Sequence, residues 1–271
     1  MKVYIATSDN SNCIIPIYSY LFNKYWSAKQ EVVFLGFTDP QYNLPKNFSF
    51  VSMADEQIGG IDKWTTYLNT YLSSIDEEYF VFACDDHLIP RAVDIRLFDL
   101  LETEITNNPK VGRIGLTPAI SLTSERVGCI SDYKEIEGGY NLICLDQQSP
   151  PGRFIYRITG QYSIWNRKYF LKNMQKHWSP AQWEIQGGRE SENDGYDILA
   201  TRDKWCVKKM EALSGSQWPG KFNLDNIHPE DVEYILKNNL IPKNLTPTYI
   251  HHDDEWYANT IFGKFETVAG I

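Results

Sequence analysis

Apolar runs of strand length alternate with stripes of helical spacing through the first half of the chain, and this alternation restricts the fold more than any other feature. Residues 2–6 (KVYIA) read as a buried strand, followed by the polar loop TSDNSN. Ile14, Ile15, Tyr18, Leu21, Phe22 and Tyr25 then recur at helical spacing. Residues 31–37 (EVVFLGF) form a second strand closed by the turn pair Asp39-Pro40, and residues 48–53 a short third. After Asp62, a suitable N-cap, Trp64, Tyr67, Leu68, Tyr71, Leu72 and Ile75 share one helical face. Residues 78–84 (EYFVFAC) are the next strand, 94–107 the next helix, and 111–116 the strand after it. Strands alternating with helices make βαβ units, and hence a mainly parallel sheet of the α/β class.

The second half is less regular. Residues 118–153 carry GG and SPPG and read as loops with short hairpins. Residues 154–160 and 204–210 read as strands, and 167–174 and 229–238 as helices, the latter with Pro near its start. No internal repeat or long linker interrupts the chain. We therefore expect one domain over 1–271, with a regular half (1–117), a smaller half of mixed or antiparallel character (118–239) and a tail (240–271).

Composition narrows the function. The net charge over 271 residues is −9, which leaves no basic footprint for nucleic acid. The five cysteines are odd in number, widely spaced and form no C-x-x-C pair, as expected of reduced thiols. MKVYIATSDN reads as a strand and lacks the apolar core of a signal peptide, and no transmembrane run is visible. The expectation is a soluble cytoplasmic protein (host cytoplasm, if viral).

The strand at residues 78–84 ends abruptly in Asp85, Asp86 and His87. Ligands of an open parallel sheet bind beyond the carboxyl ends of its strands. Two adjacent carboxylates there are costly to bury unless a cation compensates them. Mg²⁺ and Mn²⁺ favour oxygen ligands and often share them with a diphosphate. The other reading is that the aspartates cap the next helix or solvate a loop. No P-loop, G-x-G-x-x-G, G-x-S-x-G or H-E-x-x-H is present.

An apolar strand ending in D-D-H, directly after the helix KWTTYLNTYLSSI, resembles the GT-A glycosyltransferases, in particular bacterial and large-virus members with a compact variant of D-x-D. The block GQYSIWNRKYFLKNM…SPAQWEIQGG and, more faintly, SGSQWPGKF resemble later segments of that family. The resemblance covers about residues 1–225 and implies that 1–117 is the nucleotide-binding half and 118–239 the acceptor-side half. It implies a Rossmann-like GT-A sheet, a nucleotide-sugar donor (a UDP-sugar foremost), a glycan or other hydroxyl acceptor, and Mn²⁺ or Mg²⁺ as cofactor.

Carried onto this chain, the resemblance makes Asp86 the metal ligand and sets Asp85 against the ribose or a metal-bound water. Cys84 stands where the commoner motif has its first Asp, so the division between Asp85 and Asp86 stays open. Thr7, Ser8 and Asp9 would line the base and ribose, with Lys63 and Gln161 also on the donor. Trp64 continues the apolar stripe and suits the core. Glu184 would be the general base of an inverting transfer, with Glu190 and Asp194 as substitutes, and Trp183 would offer its face to a sugar. A polar surface loop is the other reading of the Glu184 segment. Arg153 and Arg157 would clamp phosphate or pair on the surface. His251, His252, Asp253 and Asp254 read as a surface segment rather than a metal site. The rival functions are a sugar-phosphate nucleotidyltransferase and a non-catalytic carbohydrate-binding protein of the same fold.

Overall fold

The computed structural model describes residues 1–54, 63–118, 128–150, 155–174, 177–212, 221–224, 227–241 and 246–248. Four strands read from the sequence form one half of the main sheet: β1 (Val3–Ala6), β2 (Val32–Gly36), β3 (Phe48–Ser52) and β4 (Tyr79–Cys84). The two-residue β5 (His87–Leu88) follows, then β6 (Val111–Gly115), β7 (Ile130–Ile136), β8 (Tyr140–Leu145), β9 (Ser163–Asn166) and β10 (Asp197–Thr201). All except β5 join a nine-stranded sheet in the order β3-β2-β1-β4-β9-β6-β10-β8-β7. Only β9 and β8 run against the other seven strands. The chain therefore adopts the expected α/β class, mostly parallel, and each antiparallel pairing involves a strand from the second half.

Alternation along each strand gives the sheet two apolar faces. Val3, Ile5, Val32, Phe34, Val81 and Ala83 pack on one side against α1 (Ile15–Phe22) and α3 (Ile95–Asn107). Tyr4, Ala6, Val33, Leu35, Phe80 and Phe82 pack on the other against α2 (Trp64–Ser73) and α4 (Arg167–Lys172). Strands covered on both faces read as continuous apolar runs, which is why the sequence exposes them. Helix starts are equally local. The Asp94 side chain accepts from the Leu97 amide at 3.0 Å to cap α3, and Asn166 caps α4 through the amides of Lys168 and Tyr169. The last described helix, α5 (Pro229–Lys237), opens on Pro with Glu230 and Asp231 in its first turn.

The expected hairpin region is β7–β8. Its turn places Gly138 and Gly139 at φ +86° and +74°, backbone that only glycine adopts without strain. Two expected strands are not strands. Residues 155–160 fold irregularly around the fully buried Arg157, whose guanidinium donates to the Asp146, Ser191 and Tyr196 carbonyls and to the Gln147 and Asp194 side chains. That array makes Arg157 a structural cation, neither a phosphate clamp nor a surface pair. Of residues 204–210, only Met210 enters a strand, β11 (Met210–Glu211), which pairs with β5. Upstream, the Val207 amide donates to the Leu116 carbonyl, and Cys206 accepts from the Asp94 amide and donates its thiol to the Asp94 carbonyl, which bridges the end of β6 to the start of α3. β12 (Lys221–Asn223) and β13 (Thr246–Thr248) pair separately. The five cysteines are free thiols. No described helix is long and apolar enough to cross a membrane.

Candidate functional site

Successive crossovers take the chain from β1 outward through β2 to β3, and β4 returns to the other side of β1. The gap between the carboxyl ends of β1 and β4 is therefore a topological switch point, where loops leave in opposite directions and open a crevice. Thr7 follows β1 and Asp85 follows β4, and the two meet there. The Thr7 hydroxyl donates to Asp85 Oδ2 at 2.5 Å, while the Asp85 amide donates to the Ala6 carbonyl.

The loop after β1 is folded onto itself. The Ser8 amide donates to Ser11 Oγ at 3.0 Å, the two hydroxyls lie 2.9 Å apart, and the Asn12 amide group donates to the Thr38 carbonyl. Asp9 is exposed and accepts from the Thr38 amide and hydroxyl, each at 2.9 Å. It thus joins the loops that follow β1 and β2. Ser11 and Asn12, unassigned from the sequence, belong to this network; their signal was a serine and asparagine cluster just past a strand end.

Asp85 is buried, and its carboxyl is pushed up to about 7. Burial is the main cause and Asp86 adds repulsion, while the Ser11 and Thr7 hydroxyls pull the other way. Asp86 is shifted upward by burial, moderated by Lys209 and reinforced by Glu211. Its Oδ1 is buried with no hydrogen-bond partner among the described residues, as is His87 Nδ1. His87 Nε2 lies 3.7 Å from Asp86 Oδ1, but burial foremost, and then Lys209, hold the imidazole down near 3. The ring is therefore neutral and the pair is not an ion pair. Antiparallel pairing of β5 with β11 completes this wall, with the Ala212 amide donating to the Asp86 carbonyl.

The opposite wall comes from the segment before β9, which runs antiparallel to β4 and so begins at the same sheet edge. The Cys84 amide donates to the Gly160 carbonyl at 2.9 Å. Glu184 Oε1 accepts from the Gly160 amide at 2.7 Å and from the Thr159 hydroxyl at 2.8 Å. A Cβ on Gly160 would lie 2.7 Å from Cys84 Sγ, so only glycine allows this approach. The Cys84 thiol is pushed well above its usual range by burial and then by Asp86, Glu184 and Asp85, three carboxylates converging on one strand end. Gln161 Oε1 accepts from the Thr117 hydroxyl, beyond β6, at 2.9 Å.

The structure thus gathers Thr7, Asp85, Asp86, Gln161 and Glu184 at one edge, with Ser8 and Asp9 on the adjoining loop. Lys63 is exposed at the start of α2, a helix that follows β3 and so begins at that edge too. Trp183 stands differently. Its indole is fully buried, with ring centroids 5.3 Å from Trp64, 5.8 Å from Trp165 and 5.5 Å from Phe170. The expected sugar-stacking face is instead a core group, held there by aromatic packing worth more than an exposed ring. Trp64 is likewise core. Of the substitute bases, Asp194 is spent on Arg157 and Lys172. Thr159 and Gly160 went unassigned, although the GQYSIWN block contained the glycine. Most of SGSQWPGKF, Arg153, Asp62 and the His251–Asp254 cluster lie outside the described residues.

Solved structures offer distant likenesses. The chain is similar to a mannosyltransferase from Pyrobaculum calidifontis in complex with GDP-Man and Mn²⁺, at 14% identity and a TM-score of 0.46 over 79% of this chain. It is similar to the WbbM bifunctional glycosyltransferase in its apo form, at 10% identity and 0.41 over 73% of this chain. A third is a CMP:2-keto-3-deoxy-manno-octonic acid synthetase complexed with CTP, at 11% identity and 0.37 over 73% of this chain and 88% of that one. The chain spans 57% of the mannosyltransferase and 38% of WbbM. No protein-family model matches the sequence, and no curated protein does.

Proposed function

We propose that the chain is a metal-dependent glycosyltransferase that moves a sugar from a nucleoside-diphosphate donor, a UDP-sugar foremost, to a hydroxyl of a glycan or similar acceptor. One observation carries this reading. Asp86 presents a buried, unpartnered Oδ1 at the β1/β4 switch point, and Glu184 reaches the same strand end through Gly160.

The residues fit a divalent cation. Asp86 Oδ1 is a hard oxygen donor with no hydrogen-bond partner among the described residues, and the carboxyls of Asp85 and Glu184 stand close by. Among the described residues no three His, Cys, Asp or Glu side chains form a metal cage. Asp86 would hold the ion while donor diphosphate and water supplied the remaining ligands, as Mg²⁺ and Mn²⁺ prefer. When bound, the cation would neutralise charge on the departing diphosphate.

The chain's own groups supply the rest. The Ser8–Ser11 loop and the Asp9–Thr38 bridge shape the floor on which a base and ribose would lie, with Asp85 behind them. Glu184 would accept the proton of the acceptor hydroxyl as it attacks the anomeric carbon, giving inversion. Its Oε1 is fixed by Thr159 and Gly160, which leaves the other carboxylate oxygen for that proton.

The test is thermal stabilisation by nucleotides and nucleotide sugars with and without Mn²⁺, followed by turnover with the donor that stabilises most. A metal-dependent shift that disappears in Asp86→Ala supports the reading. Absence of any nucleotide shift, or a shift untouched by Asp86→Ala, overturns it. Pyrophosphate release from a nucleoside triphosphate would point to the nucleotidyltransferase instead.

A further inference from the structure

A cavity of about 610 Å³ lies along α1 and shares no lining residue with the strand-end crevice. Its size suits a small ligand, for which roughly 300–1,000 Å³ is usual. Pro16, Ser19, Tyr20, Tyr42, Asn43 and Tyr234 are among its lining. Tyr20 and Tyr234 are stacked, with ring centroids 4.3 Å apart and planes 14° from parallel. Tyr234 and Tyr42 stay 45% and 41% exposed, which leaves aromatic surface open to the cavity they line.

Ser19 gives the cavity a polar demand. The residue is only 3% exposed, and its hydroxyl has no hydrogen-bond partner among the described residues. A buried hydroxyl left unpaired is costly, so a ligand hydroxyl that reached it would gain a hydrogen bond. Charge narrows the ligand further. Lys24, the cation in the lining, is held by Glu230 at 2.8 Å and Asp231 at 2.6 Å, so the site offers no surplus positive charge to an anion. Flat tyrosine faces, a waiting hydroxyl and the Asn43 amide together suit a ring with apolar C–H faces and a rim of hydroxyls.

We propose that this cavity is a binding site for a neutral saccharide, separate from the crevice at the strand ends. It stands whether or not the crevice binds a nucleotide sugar. Were both readings correct, it would hold part of a glycan chain while another part is extended.

The test uses three neutral probes, maltotetraose, cellotetraose and a mannotetraose, in saturation-transfer NMR and titration calorimetry on the full chain. At least one should bind, and Tyr42→Ala and Tyr234→Ala should each weaken it about tenfold, the scale of one lost aromatic contact. Ser19→Ala should weaken it too, whereas Asp86→Ala should leave it unchanged. Tyr42 is exposed and outside the Tyr20–Tyr234 stack, so Tyr42→Ala should keep the wild-type melting temperature, which separates lost binding from lost fold; Tyr234→Ala also loses that stack and should melt slightly lower. Failure of all three probes overturns the proposal. So does binding that survives both tyrosine variants or disappears in Asp86→Ala. Self-association in sedimentation that Tyr234→Ala abolishes, without probe binding, would make a second copy the occupant and overturn it as well.

Discussion

Glu184 and Gly160 are joined by a 2.7 Å hydrogen bond from the glycine amide to the carboxylate, and Gly160 in turn backs directly onto Cys84. A candidate base is thereby tied to the strand that carries Asp85 and Asp86. Glu184→Gln keeps an oxygen to accept from Gly160 and Thr159 but removes the proton acceptor. Turnover should fall by about 10²–10⁴-fold, while nucleotide-sugar binding and the melting temperature stay close to wild type. Parallel calorimetry and initial rates check this; unchanged rates would place the base elsewhere.

Gly160→Ala tests the spacing itself. The new methyl would start 2.7 Å from Cys84 Sγ, so β4 and the Thr159–Gln161 segment must part. The expected cost is about 1–3 kcal/mol of stability, typical of an overpacked site. The metal-dependent shift with nucleotide should shrink too, because Asp86 moves with the strand end. Pairing the substitution with Cys84→Ala should recover part of both, since the offending sulfur is gone. Denaturant midpoints on the two variants measure the recovery.

Asp85 carries a pH signature. Its folded carboxyl sits near 7 because burial disfavours the charge, against about 3.9 for an unfolded Asp. The folded state therefore holds a proton that the unfolded state releases between about pH 4 and pH 7. Its contribution is fully present below about pH 4 and is lost as pH rises through 7. Asp85→Asn has no proton to lose. In EDTA the variant should match wild type near pH 4 and melt higher at pH 8, the gap opening between those limits. A constant gap across that range would show that Asp85 is not buried as described.

How much of this was legible in the sequence depended on whether the determinant was local. β1 to β4 and α3 were readable to within about a residue, because strands buried on both faces are continuous apolar runs and the Asp94 cap sits beside its helix. β9 and β10 were missed as sheet strands. The run SIWN belongs to the sheet only because β4 and β6 flank it, and DILAT only because β6 and β8 do. Trp183 shows the same limit at a site. A tryptophan beside a carboxylate reads alike in a crevice or a core, and what decides is Trp64, Phe82, Trp165 and Phe170 arriving from elsewhere in the chain. Asp85 and Asp86 could be found because a parallel sheet binds ligands at strand ends; that Thr7 would meet Asp85 needed the crossover order.

Asp231 should matter to stability more than its place on a surface helix suggests. Its carboxylate is fully buried and accepts from Lys24, Tyr20 and Tyr25, fastening α5 to the α1 side of the sheet. Burial alone would raise its pKa, but the hydrogen bonds from Lys24, Tyr20 and Tyr25 outweigh it and hold the carboxyl below the usual range. A depressed folded value means the contribution is present above about pH 4 and is lost as pH falls through the folded value. Asp231→Ala leaves two tyrosine hydroxyls short of their acceptor and Lys24 with Glu230 alone, and should cost about 1–3 kcal/mol at pH 7. Asp231→Asn should cost less at pH 7, and its deficit against wild type should narrow as pH falls from about 4, where the unfolded wild-type chain takes up the proton, towards the lower folded value. Urea titrations of both variants at pH 7 and pH 3 measure this. A pH-independent deficit would mean that shape rather than charge holds α5 in place.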